Sequence, residues 1–369
     1  MTLVVRLLAA FVLAALATAG PRSAGAQGTS AAQRTTKFDV EKLAEGVYAV
    51  IRNDPPGLMF EANSAFIIGD ADVVVVDGGS NPASATEVLA ALRALTSKPV
   101  RYVINTHWHG DHVTGNRVYQ DAFPGVDFIA HTTSLTDLNG EGLVAQKGFI
   151  DNARRYADFL KDLMAKGRGL DGQALSAEER ESHESSVALV EHALAAVPQA
   201  KHVPPTLTLD DRLTLHRGGR TIDIRWFGRA HTRGDIVVHL PDEGILFTGD
   251  LVAAPVPLVG STSFPLDYDT TLQKMLELRP RVIVPGHGDV QRDDSYTRLM
   301  IRMLASIGEQ TEAAVARGET LDQARKSVNL EEFRRAIAGD SKVRSLLFSE
   351  YVRGPAVARA FEAATAAKR

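Results

Sequence analysis

Short apolar runs broken by turn residues fill the first third of the chain, and their spacing is that of strands. "VYAVIR", "SAFIIGD" and "DVVVVDGG" each read as one strand, the last ending at Asp77 with two glycines behind it. The period then changes. In "SNPASATEVLAALRAL" apolar residues recur at helical spacing, Ser80 or Asn81 stands where a cap belongs, and Pro82 suits the first turn. "VRYVIN" is again a strand and runs straight into "NTHWHGDHVTGN"; "VDFIAH" is another. From residue 138 to about 200 the texture is charged and helical. There "GFIDNARRYADFLKDLMAKG" and "SAEERESHESSVALVEHALAAV" predict two helices joined by a glycine-rich turn. Strands resume in "LTLHRGGRTIDIRWFG", whose paired glycines suit a hairpin, in the hairpin-like "DIVVHLPDEGILFTGD", and in "RVIVPGHGD". From 294 onward the pattern is helical. Two similar halves of strands and helices, with a helical insertion and a helical tail, predict an α/β sandwich with one site.

The two ends and the composition narrow the class. Residues 1–26 read as an export signal: Arg6 supplies the charge, "LLAAFVLAALATAG" is short for a bilayer span, and "AGA" precedes Gln27. Residues 27–37 form a polar, alanine-rich linker. The mature chain is therefore expected in the periplasm or outside the cell, with no stable membrane anchor. The sequence has no cysteine, which removes disulfides, thiolate ligands and a cysteine nucleophile together. A net charge of −4 without a block of like charges lacks the basic face that nucleic acid requires, so a small-molecule substrate is the expected partner. Nothing in the pattern speaks to the oligomeric state.

Of 11 histidines in 369 residues, three fall with an aspartate between His107 and His112. His107 and His109, two apart on an extended segment, point the same way and can grip one ion. Asp111 and His112 follow the bend at Gly110 and aim at a neighbouring point. Imidazole and carboxylate donors without sulfur suit zinc, and also iron or manganese. Four ligands are too few for two ions. Downstream, His231 in "GRAHTRGD", Asp250 at the end of "ILFTGD" and His287 in "VIVPGHGD" each follow an apolar run beside glycine. Glycine lets the backbone approach an ion closely. His183, His192, His202 and His216 read as ordinary surface or helix residues. His131, His239 and Asp235 stand near enough in sequence to support the site or merely to shape turns.

On these motifs, across roughly residues 38–290, the chain resembles the metallo-β-lactamase superfamily. The resemblance implies a four-layer αββα sandwich over 38–290, with a helical insertion at 138–205 and a helical C-terminal extension at 291–369. It implies two zinc ions per chain: His107, His109 and His231 on the first, Asp111, His112 and His287 on the second, and Asp250 bridging. Asp77 would steady the histidine loop, and Asp111 would be the catalytic residue that orients the nucleophile. The implied reaction is hydrolysis at a carbonyl centre (lactam, lactone, ester or thioester) by a water made nucleophilic between the ions. β-Lactamases of the family carry cysteine or serine where this chain has Asp250, which counts against a dedicated lactamase. The alternatives are a single-iron persulfide dioxygenase and a phosphodiesterase of the same fold. Trp108, alternating away from the ligands, reads as packing under the loop. Leu58, Met59 and Phe60, at the tip of "NDPPGLMFEANS", are the expected substrate contacts, because an apolar loop tip is costly unless used.

Overall fold

Four consecutive valines, Val73–Val76, explain how the layers are built. They form β4, the middle strand of a seven-stranded sheet ordered β1 (Phe38–Ala44), β2 (Val47–Arg52), β3 (Ser64–Ile68), β4, β5 (Val100–Ile104), β6 (Asp127–His131) and β7 (Leu207–Leu209). Side chains alternate, so Val73 and Val75 pack with Val88, Leu89 and Leu92 of helix α1 (Pro82–Leu95). Val74 and Val76 face the other way, onto Ile222, Ile224 and Phe247 of a second sheet. A strand covered on both faces needs an unbroken apolar run, which is what the valines supply.

The second sheet runs β12 (Val282–His287), β11 (Ile245–Ala253), β10 (Ile236–Leu240), β9 (Arg220–Trp226), β8 (Arg212–Arg217). The same division recurs there. Ile236 and Val238 of β10 face the first sheet, while Val237 faces an outer helical layer. That layer comprises α7 (Pro265–Leu276), α8 (Ser295–Ala316), α9 (Leu321–Ser327), α10 (Glu331–Ala338), α11 (Lys342–Phe348), a π-helical turn at Ser349–Arg353, and α12 (Gly354–Ala367). Helix, sheet, sheet and helix make the αββα sandwich. The computed structural model describes residues 38–53, 57, 61–169, 171–196 and 203–368. The export signal, the linker, the tip residues Leu58, Met59 and Phe60, and His202 lie outside the described residues. Among those described, no helix is long and apolar enough to cross a membrane.

Local expectations fare differently. Asn81, not Ser80, caps α1, its side chain accepting the Ser84 N–H at 3.0 Å. Gly218 and Gly219 turn the β8–β9 hairpin with positive φ. The two helices expected in the insertion are α5 (Glu141–Lys166) and α6 (Ala177–Ala196), and a further one, α4 (Thr132–Asn139), precedes them and begins ahead of the expected boundary at 138. The helical run starts directly after β6, where the His131 side chain accepts the Thr133 N–H, and breaks at Gly140. α5 and α6 pack through Ala153, Ala157, Leu160 and Leu163 against Val187 and Val190.

A buried ion pair pins the two strand ends that flank residues 54–60. Arg52 and Glu61 approach to 3.4 Å with side chains only 4% exposed each. Glu61 also accepts from Ser84 Oγ (2.7 Å), Asn81 Nδ2 (3.1 Å) and Ser80, fastening the loop base to the start of α1. Removing one partner strands the other's charge. Glu61→Ala is therefore expected to cost about 3–5 kcal/mol of stability, read as a lower denaturation midpoint. A midpoint equal to wild type would show that the pair is not coupled to folding.

Candidate metal centre

The strand order brings every expected ligand to one edge. Asp77 follows β4, His107 comes three residues after β5, Asp250 lies in β11, and His287 ends β12. Asp77 has φ 58, a strained value for a non-glycine residue, and is buried. Its carboxylate repays that strain with three contacts. It accepts the Thr106 N–H and O–H, both at 2.8 Å, and lies 2.8 Å from His112 Nδ1. Asn105 and Asn116 pair side chain to side chain across the same turn. Helix α2 (Gly110–Val113), a single turn, swings Asp111 and His112 away from the segment carrying His107 and His109. α3 (Asn116–Ala122) follows.

Two ligand sets result. His107, His109, His231 and Asp250 place one donor atom each within 4.8 Å of one another, as do Asp111, His112, Asp250 and His287. Asp250 belongs to both. Its Oδ2 lies 3.9 Å from His107 Nε2 and 3.5 Å from His231 Nε2; its Oδ1 lies 3.2 Å from His112 Nε2 and 3.4 Å from His287 Nε2. Asp111 Oδ2 is 3.1 Å from His287 Nε2 and 3.4 Å from His112 Nε2. His107 Nε2, His112 Nε2, His287 Nε2 and Asp250 Oδ1 are buried with no hydrogen-bond partner. Orphaned donors converging from several segments fit divalent cations, since unpaired burial is otherwise costly.

In four of the five rings the other nitrogen is held from behind, which fixes the donor atom. Thr106 Oγ1 sits 3.2 Å from His107 Nδ1, and Asp77 holds His112. The Leu258 carbonyl accepts from His231 Nδ1 at 2.9 Å, and Thr262 Oγ1 lies 3.3 Å from His109 Nε2. His109 therefore presents Nδ1, 2.9 Å from His231 Nε2. The seven candidate ligands and Asp77 expected from the sequence come together here, whereas these supports were not expected. Tyr268, whose hydroxyl donates to the Asp250 carbonyl at 2.7 Å, and Asn63, whose amide donates to the Pro285 and Gly288 carbonyls, were not expected either. Thr106 carried the one available signal, a polar residue wedged between a strand and a ligand.

Glycine is required where backbone and ligand meet. A Cβ on Gly286 would lie 2.0 Å from Asp250 Oδ1, and one on Gly249, at φ 51, would lie 2.3 Å from Thr106 Oγ1. Trp108 is buried against Val113 and Leu138, in keeping with a packing role. Asp235 accepts the Thr232 N–H and O–H at 2.7 Å and so closes the His231 turn. Arg233 forms a two-pronged ion pair with Asp137 of α4, fastening that turn to the insertion. His131 stacks on Trp226 at 5.2 Å, in a groove of about 550 Å³ that no ligand residue lines. His239 lies within β10 opposite Leu246 and Asp223.

Charge separates the two sets. Burial, followed by the neighbouring His231 ring, pushes His109 down to about 3, so it offers a lone pair at pH 7. Burial acts on His287 in the same direction but is outweighed by the Asp250 and Asp111 carboxylates, which raise it to about 9. For Asp111, burial raises the carboxyl, yet the facing His112 and His287 rings hold it well below the usual range. A cation entering the second set must therefore displace a proton, whereas His109 in the first set has none to lose near neutrality. The second set's apparent affinity for zinc is expected to climb as pH rises toward 9 and to fall on acidification. Calorimetric titrations in buffers of different ionisation enthalpy read this as proton release. No release at pH 7 would contradict it.

Comparison with known proteins agrees with the geometry. The family model described as the metallo-beta-lactamase superfamily matches residues 59–287. A linear primary-alkylsulfatase from Pseudomonas sp. is 24% identical over 270 residues, covering 70% of this chain and 48% of the relative. A beta-lactamase-like protein 2 homolog from Caenorhabditis elegans is 24% identical over 257 residues, covering 68% and 64%. The chain thus spans about half the length of the first relative and under two thirds of the second. In solved structures, a double mutant of the sec-alkyl sulfatase PisA1 superposes with TM-score 0.60 at 17% identity, over 86% of this chain and 51% of the other. A metallo-beta-lactamase from Pontibacter korlensis gives 0.50 at 18% identity, over 73% and 99%. The family model spans most of the sandwich and takes in all seven candidate ligands, from His107 to His287 at its end, and the chain belongs to the metallo-beta-lactamase superfamily.

Proposed function

We propose that the centre holds two zinc ions and that the mature, exported enzyme hydrolyses a carbonyl-centred bond: lactam, lactone, ester or thioester. The observation that carries the reading is Asp250, whose two oxygens face different ligand sets. The donors are imidazole and carboxylate with no sulfur, a set that suits zinc. Two such cations side by side supply Lewis acidity and bring a shared water's pKa toward neutrality. The chain's residues do the rest. The rings, locked by Thr106, Asp77, Leu258 and Thr262, hold the cations in one geometry. Asp111, whose side chain is 22% exposed against 1% for Asp250, faces the open side, where it would accept a hydrogen bond from the attacking water and orient it. Export rests on the residue pattern of positions 1–26, and a mature N-terminus at Gln27 is its check.

A second reading, cleavage of an alkyl sulfate ester, is favoured by the similarity to the Pseudomonas alkylsulfatase over 70% of this chain. One experiment separates the readings: metal quantification on purified protein, coupled to a panel of lactam, lactone, thioester, primary alkyl sulfate, phosphodiester and persulfide. Two zincs per chain with turnover of a carbonyl substrate is the expected result. One iron per chain with persulfide-dependent oxygen uptake would replace hydrolysis with a dioxygenase.

The same reading assigns substrate contact to Leu58, Met59 and Phe60. The described neighbour Gly57 already approaches the insertion closely: a Cβ there would lie 2.8 Å from Ser186 Oγ of α6. Replacing all three residues with serine is expected to raise KM for apolar substrates while leaving both metals and the melting temperature unchanged. A lower melting temperature at constant KM would make the tip structural.

A further inference from the structure

The loop after β11, residues 254–264, contacts two of the three histidines of the first ligand set, His231 and His109. Its Leu258 carbonyl accepts from His231 Nδ1 at 2.9 Å. Thr262 Oγ1 donates to the His231 carbonyl at 3.2 Å and stands 3.3 Å from His109 Nε2, while Ser263 Oγ donates to the same carbonyl at 3.2 Å. No helix or strand runs through 254–264, so the loop's shape is imposed by what it packs on.

What it packs on is the C-terminal extension. The Val259 N–H donates to the Tyr351 carbonyl at 2.9 Å, inside the π-helical turn Ser349–Arg353. Such turns carry one extra residue and re-aim the carbonyls around them. Arg359 of α12 donates through Nε to the Ser263 carbonyl at 3.3 Å, and its guanidinium lies 5.9 Å from the centre of the Phe264 ring. Val256 and Val259 are fully buried in one core with Phe348, Val352, Ala356 and Val357.

We propose that the C-terminal extension positions the first ligand set: Tyr351 and Arg359, through the 254–264 loop, hold the Leu258 carbonyl and the Thr262 hydroxyl that decide which nitrogens His231 and His109 present to a cation. The proposal rests on the two-cation reading above. Arg359 and Thr262 are positioning residues: both would act through the loop and the His231 and His109 rings. In the second set the loop reaches only the His287 main chain, through the Ala254 N–H at 3.0 Å, while Asp77 stands behind the His112 ring and Asn63 beside the His287 turn, so the extension's effect on ring nitrogens is selective.

The test uses cobalt(II) titrated into the full metal-free chain, followed by calorimetry and by its visible absorption. Arg359→Met keeps the apolar stem and removes only the guanidinium. It is expected to weaken one of two cobalt sites about tenfold, to alter that site's absorption bands, and to leave the other site unchanged. Thr262→Val should weaken the same site, and Thr262→Ser should restore it. Because both act through one loop, the double variant should lose less than the product of the two single losses. Glu362→Gln, which removes the exposed partner of Arg359 at 2.9 Å, should change neither site. Wild-type affinities in Arg359→Met, equal loss at both sites, or independent losses in the double variant would each overturn the proposal. If the wild type binds a single ion, the two-cation reading fails, and the effect of Arg359→Met on that one affinity still decides this proposal.

Discussion

Asp111→Asn is expected to lower kcat by on the order of a hundredfold or more with the fold intact. The side chain stands at the open side of the second set. Its Oδ2 is 3.1 Å from His287 Nε2 and 3.4 Å from His112 Nε2, which leaves Oδ1 for the attacking water. The amide is nearly the same shape, so packing survives. It loses the anionic donor that pairs with two imidazoles and the acceptor that fixes the water's orientation. An interaction made mainly as the bond forms lowers kcat and kcat/KM together, and KM should hardly move. Steady-state kinetics beside metal content provides the measurement. Near-normal turnover with both metals present would remove Asp111 from the chemistry.

How much of this was legible in the sequence follows from where the information sits. The ligands could be read because their chemistry is dense and local: imidazoles and carboxylates at the ends of apolar runs, next to glycine. The layers could be read for the same reason, since Val73–Val76 and "DIVVHL" are too apolar for strands with one wet face. Thr262 and the Leu258 carbonyl could not. A hydroxyl or a main-chain oxygen has no residue signature, and its role here depends on contacts with His109 and His231, 153 and 27 residues away. The C-terminal helices show the same limit. Their amphipathic period reveals that they bury one face, yet not that this face meets Val256 and Val259. In the insertion the missed feature was a boundary: α4 starts at Thr132, where a capping ring at His131 replaces the usual Ser, Thr, Asp or Asn signal.

Asp250→Ala should be the most damaging single change for metal retention. The carboxylate is the one anionic group shared by the two sets, with Oδ2 toward His107 and His231 and Oδ1 toward His112 and His287. Two dications held a few ångströms apart repel each other, and a bridging negative charge offsets that repulsion while binding both. Its own charge is secure: burial would raise the carboxyl, but the His287 and His112 rings keep it well below the usual range. Alanine removes the charge and leaves five imidazoles around a hole, so at least one cation should be lost on dialysis, and activity with it. Asp250→Ser imitates the lactamases that lack the bridge and should be milder, because a hydroxyl still offers one neutral donor. The backbone should stay in place in both variants, since Tyr268 holds the Asp250 carbonyl rather than its side chain. Metal content by mass spectrometry after exhaustive dialysis, with circular dichroism as the control for folding, gives the answer. If Asp250→Ala retains two tightly bound metals, each set is complete without the bridge, and the two-cation mechanism loses the residue on which it was built.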